Sequence, residues 1–177
     1  NQNMSLSIDG TLIARGTESE KITFTSNGDQ TAGYWGYIFF SDTSADATFD
    51  PDGNYTGGCI LQYAIVQYGG SGRESIVFNL SSPFIDNSVI ANNSNGGIYA
   101  VTKDSLIISN CEIKNNSGSG ISVAGDVSST LTVDNCTISG NSSGIYAASG
   151  TVTIQNCTIS GNSGNGISTY SSTLTVD

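Results

Sequence analysis

The chain has 177 residues, with 22 Gly, 2 Pro and no His, and 11% of its residues are charged. That composition disfavours long helices, is too poor in charge for a disordered polyelectrolyte, and leaves no Ser-His or Cys-His nucleophile pair. The net charge is −10, and Arg15, Lys21, Arg73, Lys103 and Lys114 are scattered, so there is no clustered basic footprint for nucleic acid and little attraction to an anionic membrane.

No apolar run approaches the roughly 20 residues of a transmembrane helix, and membrane insertion is not expected. The opening NQNMSLSIDG has no basic region leading into an apolar core, so any export signal is expected to be removed or to lie outside these residues. Strand-like alternation then begins in GTLIARGTESEKITFTS and returns in GYWGYIFF. There Ile38 and Phe40 are expected to face inward and Tyr37 and Phe39 outward, with Tyr34 and Trp35 at the preceding turn. Outward Tyr34, Trp35, Tyr37 and Phe39 would form a sugar-stacking platform for a polysaccharide or cell-surface glycan. The competing reading packs them beneath the insertion that follows.

That insertion, SDTSADATFDPDGNYTGG at 41–58, is an acidic loop between coils. Asp50, Asp52 and Asn54 at alternate positions offer oxygen ligands of the kind Ca²⁺ prefers, although Asp-Pro-Asp-Gly-Asn is also ordinary turn chemistry. CILQYAIVQYGG follows, and then FIDNSVI, IISNCEI, TVDNCTI and TIQNCTI, which place Asn87, Asn110, Asn135 and Asn156 at separations of 23, 25 and 21. Tyr63 occupies the same place 24 residues before Asn87. The chain stops at STLTVD, the start of another unit, and is read as one β-helix segment, 1–177, of a longer protein.

Within each unit the alternation has period two, with Leu131 and Val133 on one side and Thr130 and Thr132 on the other, then Cys136 and Ile138 against Thr137 and Ser139. A third apolar pair follows in GIYAA. Three short strands in about 22 residues cannot bury their apolar faces alone, and stacked units can. The expected fold is all-β, a right-handed parallel β-helix with three short strands per coil. The Asn column supplies a residue that tolerates unusual backbone angles and whose amide bonds to the Asn of the next coil.

NCTISGN and GIY, recurring from about residue 83, together with GTLIARGTESEKITFTS, GYWGYIFF and CILQYAIVQYGG, resemble the parallel β-helix repeat proteins of the pectin-lyase-like superfamily. The resemblance implies the fold and leaves function open, since that superfamily spans polysaccharide lyases, hydrolases, esterases, epimerases, adhesins and stalks.

Cys111, Cys136 and Cys157 share one position in three coils. Parallel Cα–Cβ vectors suit a disulfide poorly and no His completes a zinc site, so a column of small buried residues is expected, with Cys59 another buried thiol. Thr130 and Thr132, Thr151 and Thr153, and Thr173 and Thr175 would form an outward double row, as on ice-binding solenoids, but Ser105 and Ile107, and Ser82 and Phe84, end it. Asn-x-Ser/Thr triplets at Asn3, Asn54, Asn79, Asn92, Asn115, Asn135, Asn141 and Asn156 are a by-product of composition, and Asn135 and Asn156 are expected to be inaccessible in the column.

A lyase-like base beside carboxylates finds only Lys114 with Glu112, and Lys103 with Asp104. Asp86, Asp134 and Asp177 flank the Asn column, where Ser109 and Gln155 interrupt them. The sequence therefore reads as a non-catalytic, secreted or cell-surface scaffold or adhesin-like module, binding glycan or self-associating end to end into fibres. The alternative is a fragment of a polysaccharide lyase or glycoside hydrolase whose catalytic coils lie elsewhere.

Overall fold

A computed structural model describes residues 4–102 and 104–177. Short apolar runs separated by turns satisfy their backbone groups only by pairing with other runs, and here they pair in three parallel ladders. The first stacks Leu6–Ile8, Ile38–Phe40, Ile76–Asn79, Ile98–Val101, Ser119–Ala124 and the start of Ser143–Gln155. The second stacks Ile13–Arg15, Ile60–Gln62, Phe84–Asp86, Ser105–Ser109, Thr130–Asp134 and the end of Ser143–Gln155. The third stacks Ile22–Phe24, Ala64–Gln67, Val89–Ala91, Glu112–Lys114, Thr137–Ser139 and Thr158–Ser160.

Each coil contributes one strand to each ladder, which makes the protein a right-handed parallel β-helix. Among the described residues no helix is long and apolar enough to cross a membrane. Two late coils depart from three separate strands, because Ser143–Gln155 and Ile167–Val176 run through the first and second ladders as single strands of 13 and 10 residues. The bend there shrinks to left-handed Ser149 and Gly150, and pairing continues across it.

The interior is one continuous apolar column. Ile8, Phe40, Phe78, Ala100, Val123 and Ala147 line it from the first ladder, with Phe40 and Phe78 meeting edge to face at 5.4 Å. Leu131 and Val133 point inward at 2% and 0% exposure, while Thr130 and Thr132 face out, as the alternation predicts. The register also aligns Thr130, Thr151 and Thr173, and Thr132, Thr153 and Thr175, with Ser105 and Ile107 ending both rows.

The insertion folds into an antiparallel hairpin, Thr48–Phe49 with Tyr55–Gly57. It covers the second ladder: Phe49 and Tyr55 pack on Phe84 at ring distances of 5.2 and 6.2 Å, and Arg15 lies 5.8 Å from the Tyr55 ring. The expectation that it shelters Tyr37 and Phe39 is therefore corrected, since Phe39 lies on the first ladder and Tyr37 immediately precedes that strand, its carbonyl accepting from Leu6 N. The hairpin leaves the coil at the bend between the first and second strands, so its apolar side falls on the strand it precedes.

Candidate functional site

The tight corner between the second and third ladders needs one residue with positive φ in each coil. Asn87, Asn110, Asn135 and Asn156 supply it at 48, 53, 49 and 53°, and Tyr63 does so at 50°. Their amides do not form the uniform ladder expected. Asn135 Nδ2 donates to Asn110 Oδ1 at 2.7 Å, but Asn110 and Asn87 donate to the Asp86 carboxylate and Asn156 donates to Asp134. An ionised carboxylate is a stronger acceptor than an amide, so the corner amides turn toward the aspartates. Asn135 and Asn156 are also exposed, which corrects their expected inaccessibility.

Asp86 is the hub of this corner. It is 6% exposed and accepts from Gln62 Nε2, Asn87 Nδ2, Ser109 Oγ and Asn110 Nδ2 at 2.7–3.0 Å. Burial pushes its carboxyl up, and the hydrogen bonds from Asn110, Gln62, Asn87 and Ser109 outweigh that and hold it below its ordinary value. Gln62 in turn accepts from Arg15 Nε at 2.9 Å. Around this column lies an open groove of about 520 Å³, floored by Tyr63, Asn87, Asn110 and Asn135 and flanked by Glu18, Lys21, Glu112 and Thr137.

A second asparagine column, absent from the sequence reading, forms the buried ladder. Asn93, Asn116 and Asn141 are 0–2% exposed, and Asn162 continues the line. Successive side chains donate Nδ2 to Oδ1 at 2.8, 3.0 and 3.2 Å, and each Oδ1 also accepts the backbone N–H of the preceding coil's member or its equivalent. Among the described residues every buried side-chain nitrogen and oxygen has a partner. Its signal was the last letter of NCTISGN, but exposed and buried asparagines read alike. Asn93, Asn116, Asn141 and Asn162 each follow a left-handed corner residue, Asn92, Asn115, Gly140 and Gly161 in turn.

All four cysteines are free, with Cys59, Cys111 and Cys136 buried and Cys157 partly so. Their sulfurs serve the backbone: Cys136 Sγ accepts from Cys111 N and Cys157 Sγ from Cys136 N, both at 3.4 Å. Burial pushes the Cys111, Cys59 and Cys157 thiols up.

The aromatic candidates separate. Trp35 packs against the core and donates Nε1 to Gln67 O at 2.8 Å, and Tyr34 stays in the turn, its N–H bonded to Thr31 and Tyr68 carbonyls. Tyr37 and Phe39 remain on the outer side of the first ladder, 6.5 Å apart edge to face, with Arg73 5.9 Å from the Tyr37 ring. The register carries Phe39 through Val77, which is buried, to Tyr99, and through Ser122 to Tyr146, so aromatics fall on alternate rungs of the outer side, with Phe39 and Tyr99 half-buried and Tyr146 exposed. The large residue spacing hid Tyr99 and Tyr146 from the sequence reading.

Asp50 and Asn54 come together, but Asp50 Oδ1 accepts the N–H groups of Asp52 and Asn54, and Asn54 offers its Nδ2 rather than its oxygen. Bonding to Asn54 holds the Asp50 carboxyl below its ordinary value. Among the described residues no three His, Cys, Asp or Glu side chains converge as a metal cluster. Lys114 pairs with Glu112 at 2.8 Å, and Ser109 and Gln155 align with Asp86 and Asp134 as expected. Asn3 and Lys103 lie outside the described residues.

Three parallel ladders closed on an apolar column, with asparagines at the corners, define a β-solenoid of short repeats. The model of the right-handed beta helix region matches residues 74–177, and the chain belongs to that family. Residues before 74 join the same stack, since Ile38–Phe40 pairs directly with Ile76–Asn79. No curated protein and no solved structure matches the chain.

Proposed function

We propose that this chain is a non-catalytic scaffold segment of a secreted or cell-surface protein, adhesin-like, that presents a glycan-binding face. The observation that carries the reading is the outward stripe of Phe39, Tyr99 and Tyr146, with Tyr37 and Arg73 beside it. Aromatics on alternate rungs recur about every 9–10 Å, twice the interstrand spacing. That repeat is close to the length of a disaccharide unit in an extended chain, and the C–H face of a sugar packs on an aromatic ring. The rigid stack fixes the spacing in advance, so little ordering opposes binding.

The test is co-sedimentation of the protein with insoluble polysaccharides, compared with Tyr99→Ala and Tyr146→Ala, while reducing and unsaturated sugar ends are assayed in the same tubes. Retention that falls at least tenfold in the variants, with no new sugar ends, supports the reading. Retention unchanged by both substitutions removes its basis, and new sugar ends would make the chain an enzyme.

A further inference from the structure

We propose that the groove along the asparagine corner is a second carbohydrate subsite, shaped for an extended, electrically neutral glycan lying along the helix axis with one sugar ring per coil. The inference rests on reading the chain as a glycan-presenting scaffold. It concerns a different side of the coil from the aromatic stripe, between the second and third ladders.

The floor decides the class of ligand. Tyr63, Asn87, Asn110 and Asn135 already donate their backbone N–H groups to Asp86, Ser109, Asp134 and Gln155 of the next coil at 3.0–3.2 Å. These corner N–H groups are therefore not available to an added peptide strand, which needs such an edge. What the floor presents is side chains. Among the described residues Asn87 Oδ1 and Asn135 Oδ1 accept no hydrogen bond, and both are positioned to take one from a hydroxyl. The corner residues repeat at the coil step of about 4.8 Å. That step is close to the advance of one pyranose ring in an extended chain, so each ring meets one corner residue.

One end of the groove is built by an extra loop. Arg15 aligns with Gln62 and Ile22 with Ala64, so six residues, 16–21, occupy the corner that Tyr63 spans alone one coil later. The loop is held by Thr17 N donating to Glu20 O and Glu20 N donating to Thr17 Oγ1, both at 3.0 Å. It carries Glu18 and Lys21 to the groove that Tyr63 also lines, and Tyr63 takes a backbone conformation uncommon for a bulky residue, with φ at 50°. Tyr63 supplies an aromatic plate at that end, and Glu18 and Lys21 supply charge-assisted bonds to hydroxyls.

Charge selects a neutral polymer. Glu112 is paired with Lys114, and Glu18 is offset by Lys21, so the groove carries no excess of positive charge for an acidic chain to meet. The protein's net charge of −10 repels such a chain at longer range.

The experiment titrates the intact protein with cellotetraose, mannotetraose and tetragalacturonate, following the side-chain amide signals of Asn87, Asn110 and Asn135 by NMR and affinity by calorimetry. A neutral tetrasaccharide is expected to shift those amides. Affinity should fall at least tenfold in the Glu18→Gln, Lys21→Ala double variant and in Asn135→Gly, where glycine keeps the left-handed corner. In Tyr99→Ala and Tyr146→Ala the shifts of the Asn87, Asn110 and Asn135 amides should persist, because those substitutions lie on the first ladder and not in the groove. Thermal melts of each variant check that the stack is intact.

If the groove variants bind as the parent does while the stripe variants lose binding, the groove is not a subsite and the scaffold reading survives. Preference for tetragalacturonate overturns the neutral-ligand assignment. No response to either neutral tetrasaccharide overturns the groove, and it leaves the stripe to be judged by polysaccharide co-sedimentation.

Discussion

Replacing Asn116 with Ala cuts the buried asparagine ladder at its centre. Asn116 is 2% exposed; its Oδ1 accepts from Asn93 N at 3.2 Å and Asn93 Nδ2 at 2.8 Å, and its Nδ2 donates to Ile90 O at 3.1 Å and Asn141 Oδ1 at 3.0 Å. Asn141 Oδ1 keeps a donor, because Asn116 N–H is backbone and remains. The Asn93 N–H, one Asn93 amide proton and the Ile90 carbonyl lose the partners that Asn116 supplied. At about 1–3 kcal/mol for each buried group left unmet, and with partial relaxation, the loss is about 3–6 kcal/mol. That is a large share of the roughly 5–15 kcal/mol that usually separates folded from unfolded domains. Urea unfolding followed by far-ultraviolet circular dichroism should show a midpoint lower by about 1 M or more, given slopes of about 1–3 kcal/mol/M. Asn115→Gly is the control, since Asn115 is exposed at φ 54° and glycine adopts that conformation freely. A loss for Asn116→Ala below about 1 kcal/mol, or equal to that of Asn115→Gly, would refute the ladder as a main source of stability.

Gly120→Ala places a Cβ 2.8 Å from Ile138 Cγ2 and 2.9 Å from Gly144 O, and the second contact is backbone that cannot swing away. A loss of about 1–3 kcal/mol is expected by thermal melting, as for other overpacked interiors. The folded Asp86 carboxyl lies below its unfolded value, so its contribution is fully present above the ordinary carboxylate range and is lost as pH falls through the depressed folded value. Acid titration of stability should therefore show a loss below about pH 4, from the reference value, that is smaller in Asp86→Asn, a variant already weaker at neutral pH because an amide replaces an acceptor of four bonds. Melting temperatures in EDTA and in millimolar Ca²⁺ should agree, because the Asp50 oxygens are engaged within their own turn. A rise of several degrees that disappears in Asp50→Ala would show that the turn opens to ligate the ion.

The repeat of apolar pairs and asparagines was enough to determine the three-strand coil, its parallel stacking and the inward or outward side of residues such as Leu131, Thr132 and Cys136. Period-two alternation is local, and a stack of similar units converts local pattern directly into global shape. The left-handed corners at Asn87 and Asn135 were legible for the same reason. Tertiary structure alone decided which asparagines are buried, because Asn135 and Asn141 carry the same side chain and differ only in whether the corner turns it toward solvent or toward the next coil. It also decided that the hairpin covers Phe84, that Trp35 leaves the aromatic face, and that Tyr99 and Tyr146 join it. Those contacts join residues in different coils, and their partners are fixed by the register between coils rather than by the residues around them.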